Sequence, residues 1–221
     1  MQVYRTLTTQ IENFFNTLKT SNTFYKTVFD GQIDRQSVAQ LMLDLTYLTS
    51  HTPIHLKSAI LQSELRGDTV LANFFREKIV EEVGHDQWGK KDLKKITSNK
   101  QSYDKGKVSP RMIEMVDENL KMIDEDPYQH FIYILFAEYF TVVGTPSFVK
   151  AVQASCGIPP EYMSIIINHA ELDKNHVQHW SEELDALGPN RLKLDEYVAV
   201  MKRICDRYSY YSEGLILSKA A

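Results

Sequence analysis

The segment HAELDKNH, residues 169–176, places three metal-ligand side chains on one side of a predicted helix. His169, Asp173 and His176 stand at positions i, i+4 and i+7, which lie within roughly 60° of one another at 3.6 residues per turn. First-row metals such as iron accept imidazole and carboxylate together, whereas Mg²⁺ and Ca²⁺ prefer oxygen alone. The segment therefore predicts a helix and half of a metal site.

Apolar residues recur at helical spacing on both sides of this segment, and only 9 glycines and 7 prolines interrupt 221 residues. The pattern is typical of an all-α protein with about seven to nine helices. We expect Thr52-Pro53 to interrupt the helix that begins at Asp34, and Gly144 to Pro146 to kink or split the most apolar helix. Gly84 is a weak point in a helix predicted from Thr69 to about Lys95.

The helix that carries the opening segment is predicted to run from about Glu161 to Leu187 and to end at Gly188-Pro189, and a last helix to span Asp195 to Leu217. The polar stretch Thr97 to Ser109 reads as a surface loop, because the helices on both sides of it contribute to the predicted site. We therefore expect a single domain over residues 1–221.

Charge and cysteine content exclude several classes of protein. A net charge of −4 and a pI near 6.0 give no bulk attraction to nucleic acid or to an anionic membrane. Cys156 and Cys205 form neither a disulfide framework nor a Cys-x-x-Cys metal site, which is typical of a reducing cytoplasm. No signal peptide is apparent, and no apolar run reaches the ~18 residues that a membrane span needs. We expect a cytoplasmic protein.

Two other segments offer the missing half of the metal site. The segment EEVGH, residues 81–85, contains the Glu-x-x-His unit Glu82 to His85, a unit that di-iron and di-manganese helical bundles project inward. Glu81 competes with Glu82, because a spacing of four residues also brings it beside His85. The sequence leaves that choice open.

Glu138 lies in the middle of the apolar stretch from Phe131 to Val143. Burying an unpaired carboxylate there would be very unfavourable, so a cation must lie nearby. No lysine or arginine follows in that helix before Lys150. With one of the two adjacent glutamates, the candidates amount to three histidines and three carboxylates, which suffice for two irons with open positions for O2 and substrate.

Each segment taken alone also fits a solvated polar helix face or a buried, hydrogen-bonded acid. Only the combination of three segments favours a metal site. His51 and His55 form a further i, i+4 pair around Thr52-Pro53 and fit a helix-terminal, supporting or accessory-ligand role. His130 and His179 are predicted to lie at the surface.

Taken together, Glu-Glu-x-Gly-His, a lone Glu in an apolar helix and His-x-x-x-Asp-x-x-His resemble the haem-oxygenase-like di-iron oxidases and oxygenases. Asn22 to Tyr25 with Asp30-Gly31 is similar to a signature near the start of that family. The resemblance implies a haem-oxygenase-like helical bundle, a fold shared with the thiaminase-like proteins and the pyrroloquinoline-quinone synthase. The iron ligands that it implies are Glu82 or Glu81, His85, Glu138, His169, Asp173 and His176.

One branch of that family, the self-sacrificing para-aminobenzoate synthase, is similar in its Thr-Phe-Tyr and Glu-Glu-x-Gly segments. That branch implies that Tyr25 is the source of an aromatic ring and that a lysine after the buried Glu donates an amine. The nearest such lysine here is Lys150. Three residues that separate Glu-Glu-x-Gly from its His in that branch are absent from this chain.

The resemblance implies a non-haem di-iron oxidoreductase with two iron ions as cofactor and O2 as co-substrate. Reactions in the family are N-oxygenation, carbon–carbon cleavage, desaturation and decarboxylation of small amino-acid-like, amine or fatty-acid substrates. A homodimer and an external electron donor stay open. The alternatives are a metal-free thiaminase- or quinone-synthase-like enzyme, although Cys156 and Cys205 are far from the ligand segments, and a binding protein without turnover.

Overall fold

The computed structural model describes residues 2–186 and 193–216. In this part of the chain nine α-helices and two single 3-10 turns occur and no strand, so the all-α prediction is confirmed. The helices are α1 (Gln2–Ser21), α2 (Thr23–Phe29), α3 (Arg35–Leu65), α4 (Thr69–Glu82), α5 (Asp86–Ile96), α6 (Pro110–Glu125), α7 (Pro127–Cys156), α8 (Ser164–Ala186) and α9 (Leu194–Glu213). The ends predicted at Gly188-Pro189 and Leu217 fall outside the described residues.

Five helices begin after a polar side chain that accepts a hydrogen bond from a backbone N–H of the first turn, which a helix start otherwise leaves unpaired. These residues are Asn22, Asp34, Asp68, Ser109 and Asp126. Pro110 and Pro127 follow two of them at the first helical position, where a missing N–H costs nothing. The helix start predicted at Asp34 is therefore confirmed.

Neither predicted site divides its helix in two. Helix α3 continues through Pro53, and α7 continues through Pro146. An internal proline removes one helical hydrogen bond and costs about 3 kcal/mol. Both helices pack against several others, α3 against α4 to α7 and α7 against α1, α2, α3, α6, α8 and α9. Burial of each large apolar side chain contributes roughly 1.5–3 kcal/mol, so this packing offsets the local cost.

The helix predicted from Thr69 to about Lys95 is divided into α4 and α5. Gly84 between them has φ +93°, a backbone conformation that residues with a Cβ rarely adopt. A turn therefore separates Glu82 from His85, and this turn instead of helical spacing sets their separation. In α5, a Cβ on Gly89 would collide with the Thr46 hydroxyl and with Ile165, so glycine lets α5 approach both α3 and α8.

Helix α7 occupies the middle of the bundle. Among the described helices it alone is long and apolar enough to cross a membrane by length and composition, and half of that apolar window is buried in the fold. Its contacts with six other helices give its composition a role in the core. Beside α7 lies a cavity of about 210 Å³, lined by residues from every described helix except α5.

Candidate metal centre

Two clusters of imidazole and carboxylate groups lie beside this cavity. Cluster A consists of Glu82, His85 and His169, and cluster B consists of Glu138, Asp173 and His176. In each cluster the donor atoms lie within 4.8 Å of one another. Donors that share one ion at about 2.0–2.2 Å are at most ~4.4 Å apart, so small side-chain rotations suffice to surround a metal. The structure thus brings the predicted residues together as two groups of three.

Cluster A is built around the turn between α4 and α5. Glu82 Oε2 lies 3.4 Å from His85 Nδ1 and 3.8 Å from His169 Nε2. His169 Nδ1 is 2.6 Å from the carbonyl of Ile165, which can only accept, so Nδ1 carries a proton and Nε2 faces Glu82. The Trp88 ring stacks on His85 at 4.1 Å between centroids and meets His169 edge-on at 5.4 Å. Both imidazoles are therefore fixed in orientation.

The charges in cluster A depend on one another. Burial favours the neutral acid, but the neighbouring imidazoles of His169 and His85 outweigh it and lower the pKa of Glu82 to about 2. Burial likewise opposes the charged form of His169, and Glu82 outweighs it and raises the pKa of His169. His85 Nδ1 is buried and has no hydrogen-bond partner. Cluster A is therefore an ionised carboxylate faced by two imidazole nitrogens.

Cluster B joins α7 to α8. His176 Nδ1 lies 3.3 Å from Glu138 Oε1 and 3.4 Å from Asp173 Oδ1, yet it is buried without a well-directed hydrogen bond. Trp180 Nε1 donates to Glu138 Oε2 at 2.5 Å. Burial raises the pKa of Asp173 to about 6, while the nearby carboxylates of Asp173 and Glu138 raise the pKa of His176 to about 10. The charge of His169 also acts on Asp173, which couples the two clusters.

The cation that the burial of Glu138 requires comes from α4. Lys78 Nζ lies 2.9 Å from Glu138 Oε1 and 3.4 Å from Glu81 Oε2. Burial lowers the pKa of Lys78, but the charge of Glu138 outweighs it and raises the pKa above its usual value. The burial of Glu138 is thus explained without a metal. In the described part of the chain, by contrast, the ion-pair partners of Glu82 are the two imidazoles of its own cluster.

The two adjacent glutamates point to different clusters. Glu82 belongs to cluster A, whereas Glu81 Oε2 lies 3.5 Å from His176 Nε2 of cluster B. The Glu81 side chain is 47% exposed. Consecutive residues on a helix point about 100° apart, so α4 directs one carboxylate to each cluster.

Sequence reasoning missed Lys78, Trp88 and Trp180. Lys78 stands four residues before Glu82, and Trp180 stands four residues after His176, so each continues a ligand-bearing helix face by one turn. Trp88 follows His85 by three residues, in the first turn of α5. Extending each ligand-bearing helix face by one turn would have identified Lys78 and Trp180.

The predictions for the four remaining histidines are confirmed only in part. His179 is exposed, as predicted, but the surface position predicted for His130 is wrong, because α7 turns this side chain into the bundle at 2% exposure. His51 and His55 lie inside the unbroken α3 and belong to neither cluster. An accessory-ligand role for this pair therefore lacks support from the geometry.

The two residues that the para-aminobenzoate branch implies lie in different surroundings. Tyr25 is buried, lines the cavity and shares a 2.6 Å hydrogen bond with the Tyr208 hydroxyl. Lys150 is exposed and is not among the residues that line the cavity. The lysine that lines the cavity is Lys78.

A solved structure defines the fold class. The crystal structure of a domain of unknown function with a haem oxygenase-like fold from Shewanella denitrificans OS217 matches this chain with a TM-score of 0.81. The match covers 96% of this chain and 90% of that chain at 20% sequence identity. No protein-family model matches the chain, and no curated protein matches it in sequence. The chain has a haem oxygenase-like fold, and at this identity the likeness shows the fold alone.

Proposed function

We propose that this chain is a non-haem di-iron oxidase or oxygenase that uses O2 to oxidise a small organic substrate. The observation that supports it is the meeting of two imidazole–carboxylate clusters at one cavity. Glu82 and His169 of cluster A and Glu138 and Asp173 of cluster B line the same space. Two ions bound by separate clusters would thus face a common substrate.

The donor atoms fit iron. Each cluster mixes nitrogen and oxygen donors without a thiolate, and each contains one buried Nδ1 that lacks a hydrogen-bond partner, on His85 and on His176. The Ile165 carbonyl fixes His169 in the tautomer that presents Nε2, as supporting residues do for histidine ligands. Two bound Fe(II) ions would supply the electrons that reduce O2 and so the oxidising power for the substrate.

The cavity walls limit the substrate. Most lining residues are apolar or aromatic, among them Phe15, Phe136, Phe140 and Phe148. They make the space beside the clusters mostly apolar. A volume of about 210 Å³ exceeds the roughly 150 Å³ cavity that binds benzene in another protein. The cavity therefore suits a substrate of the size of a small aromatic ring with a short side chain.

Lys78 has one role in the metal-free chain and another in the metal-bound chain. Its ammonium neutralises Glu138 in the metal-free chain and lines the cavity. If Glu138 held a metal, Lys78 would be free to donate a hydrogen bond or a proton to a substrate in the cavity that it lines. The homodimer and the external electron donor stay predictions.

The proposed function is tested by anaerobic loading of the full chain with Fe(II), iron counting and rapid mixing with O2. We expect about two irons per chain and stoichiometric O2 consumption, and we expect His169→Ala and Asp173→Ala to lower both. His179→Ala is the matched control, since His179 lies exposed on the same helix and belongs to neither cluster. Unchanged iron content in both cluster variants would refute the proposal.

A metal-free enzyme on the same fold is the second candidate, because the Lys78–Glu138 pair already neutralises the carboxylate of cluster B. In this case the clusters would act as proton donors and acceptors. It predicts that substitution of His169 leaves the iron content at its background level and that turnover is insensitive to a chelator.

A further inference from the structure

A second polar centre lies in the same cavity and belongs to neither metal cluster. His55 on α3 and His130 on α7 both line the cavity, at 1% and 2% exposure. Their ring centroids are 5.8 Å apart in an edge-to-face arrangement, and Tyr133 stacks on the other side of His130. The two imidazoles therefore form a compact polar patch in a mostly apolar wall.

Three ring nitrogens of this pair have no hydrogen-bond partner. His130 lacks a partner at both Nδ1 and Nε2, and His55 lacks one at Nε2. His55 forms its other hydrogen bond with the backbone of Val116. Buried polar groups in folded proteins are nearly always paired. Three unpaired nitrogens beside one cavity therefore indicate that a group bound in the cavity supplies the partners.

This patch is uncharged. Burial and the nearby His51 lower the pKa of His55 to about 4, and burial beside His55 lowers the pKa of His130 well below its usual range. Among the described residues that line the cavity, Lys78 is the only lysine or arginine, and it pairs with Glu138. A neutral imidazole offers one N–H donor and one bare nitrogen acceptor. A carboxylate at this patch would lie buried without a cation, which is unfavourable.

We propose that His55 and His130 form a subsite for an uncharged substrate group that both donates and accepts hydrogen bonds, such as an alcohol hydroxyl. His130 precedes Glu138 by eight residues on α7, roughly 12 Å along the helix axis. A substrate held at this subsite would extend along α7 toward the two clusters. That the occupant is the substrate rests on the proposed function, whereas binding at the subsite needs no metal.

The test compares three probes of similar size on the metal-free full chain: 2-phenylethanol, ethylbenzene and phenylacetate. Affinities are measured by calorimetry, and imidazole ¹⁵N resonances are recorded by NMR on histidine-labelled protein. We expect 2-phenylethanol to shift the resonances of His55 and His130 and the other two probes to leave them in place. His55→Leu and His130→Phe should each lower the affinity for 2-phenylethanol relative to ethylbenzene by about tenfold, the effect of one lost hydrogen bond.

His51→Gln is the matched control, because His51 lies one turn away on α3, already bonds the Tyr47 carbonyl at 2.8 Å and does not line the cavity. It should keep the wild-type preference. His130→Phe removes two unpaired buried nitrogens, so its melting temperature should not fall. Equal preference in all variants, or a subsite filled by water only with no shift of either resonance, would overturn the proposal. Iron counting on the same variants after loading with Fe(II) distinguishes failure of the subsite proposal from failure of the di-iron function.

Discussion

Clusters A and B have similar donors but different charge partners. In cluster A the partner of Glu82 is an imidazole, that of His169, whose pKa Glu82 raises, so a metal ion needs to displace only a proton there. In cluster B the ammonium of Lys78 is already paired with Glu138 and must move when a metal binds. Two clusters of similar composition should therefore bind a metal with unequal affinity. We expect cluster A to fill first and cluster B second.

Removal of the resident cation should have the largest effect. Lys78→Met leaves Glu138 buried without its cation and should lower the free energy of unfolding of the metal-free chain by about 3–5 kcal/mol. Saturating Fe(II) should restore most of this loss, and the second iron should bind more tightly than in the wild type. Urea unfolding with and without Fe(II) measures both effects. Lys174→Met, an exposed lysine on α8, is the control. A loss that Fe(II) does not restore would contradict a metal site at cluster B.

Removal of a ligand from cluster A should abolish the tight iron. His169→Ala and Glu82→Gln should each weaken the first iron more than about 100-fold, since even supporting residues contribute 10- to 100-fold. Glu81→Gln should leave this iron unchanged, because Glu81 faces cluster B. Anaerobic Fe(II) titration of the three variants is the measurement. If Glu81→Gln and Glu82→Gln behaved alike, the assignment of the two glutamates to different clusters would be wrong.

Much of the fold could be predicted from the sequence because it depends on local patterns. Helical spacing gave the all-α class, and Asp34, Pro110 and Pro127 marked helix starts. Pro53 and Pro146 were misinterpreted because the packing that keeps their helices continuous comes from residues distant in sequence. The division of α4 from α5 depends on the positive φ of Gly84, which a periodic pattern cannot reveal.

The candidate site was predicted in part for the same reason. Spacing along α8 identified His169, Asp173 and His176, and the apolar surroundings of Glu138 indicated a nearby cation. That the cation is Lys78, and that His130 faces the cavity, follows from how the helices are arranged around α7. Such contacts between distant segments have no signature in a single sequence.

In the metal-free chain, the contributions of the two clusters to stability should be lost at opposite ends of the pH range. The pKa of His176 rises from 6.5 to about 10 on folding, so its contribution to stability is full below pH 6.5 and is lost as the pH rises through 10. The pKa of Glu82 falls from 4.5 to about 2, so its contribution is present above pH 4.5 and is lost as the pH falls toward 2. Because one pKa unit corresponds to about 1.4 kcal/mol, each contribution is on the order of a few kcal/mol, and that of His176 is the larger.

Urea unfolding at pH values from 3 to 10 checks this difference. His176→Gln should flatten the alkaline side of the profile and leave the acid side, while Glu82→Gln should flatten only the acid side. The same slope in both variants on both sides would show that the clusters do not titrate independently.

The smallest effect is expected from the two tryptophans. Trp180→Phe removes the hydrogen bond to Glu138 and should weaken the second iron about tenfold. Trp88→Phe keeps a ring beside His85 and should change the first iron by less than about threefold. Competition with a chromophoric chelator measures both affinities. The reverse order would mean that stacking, and not hydrogen bonding, controls the ligands.

The most direct test of the expected order of iron binding at clusters A and B is an iron anomalous difference map. The crystals are soaked anaerobically in increasing concentrations of Fe(II). We expect the first peak between Glu82, His85 and His169 at low concentration, and a second between Glu138, Asp173 and His176 at high concentration, with Lys78 moved away from Glu138. First occupation of cluster B, or no iron at either cluster, would contradict this account.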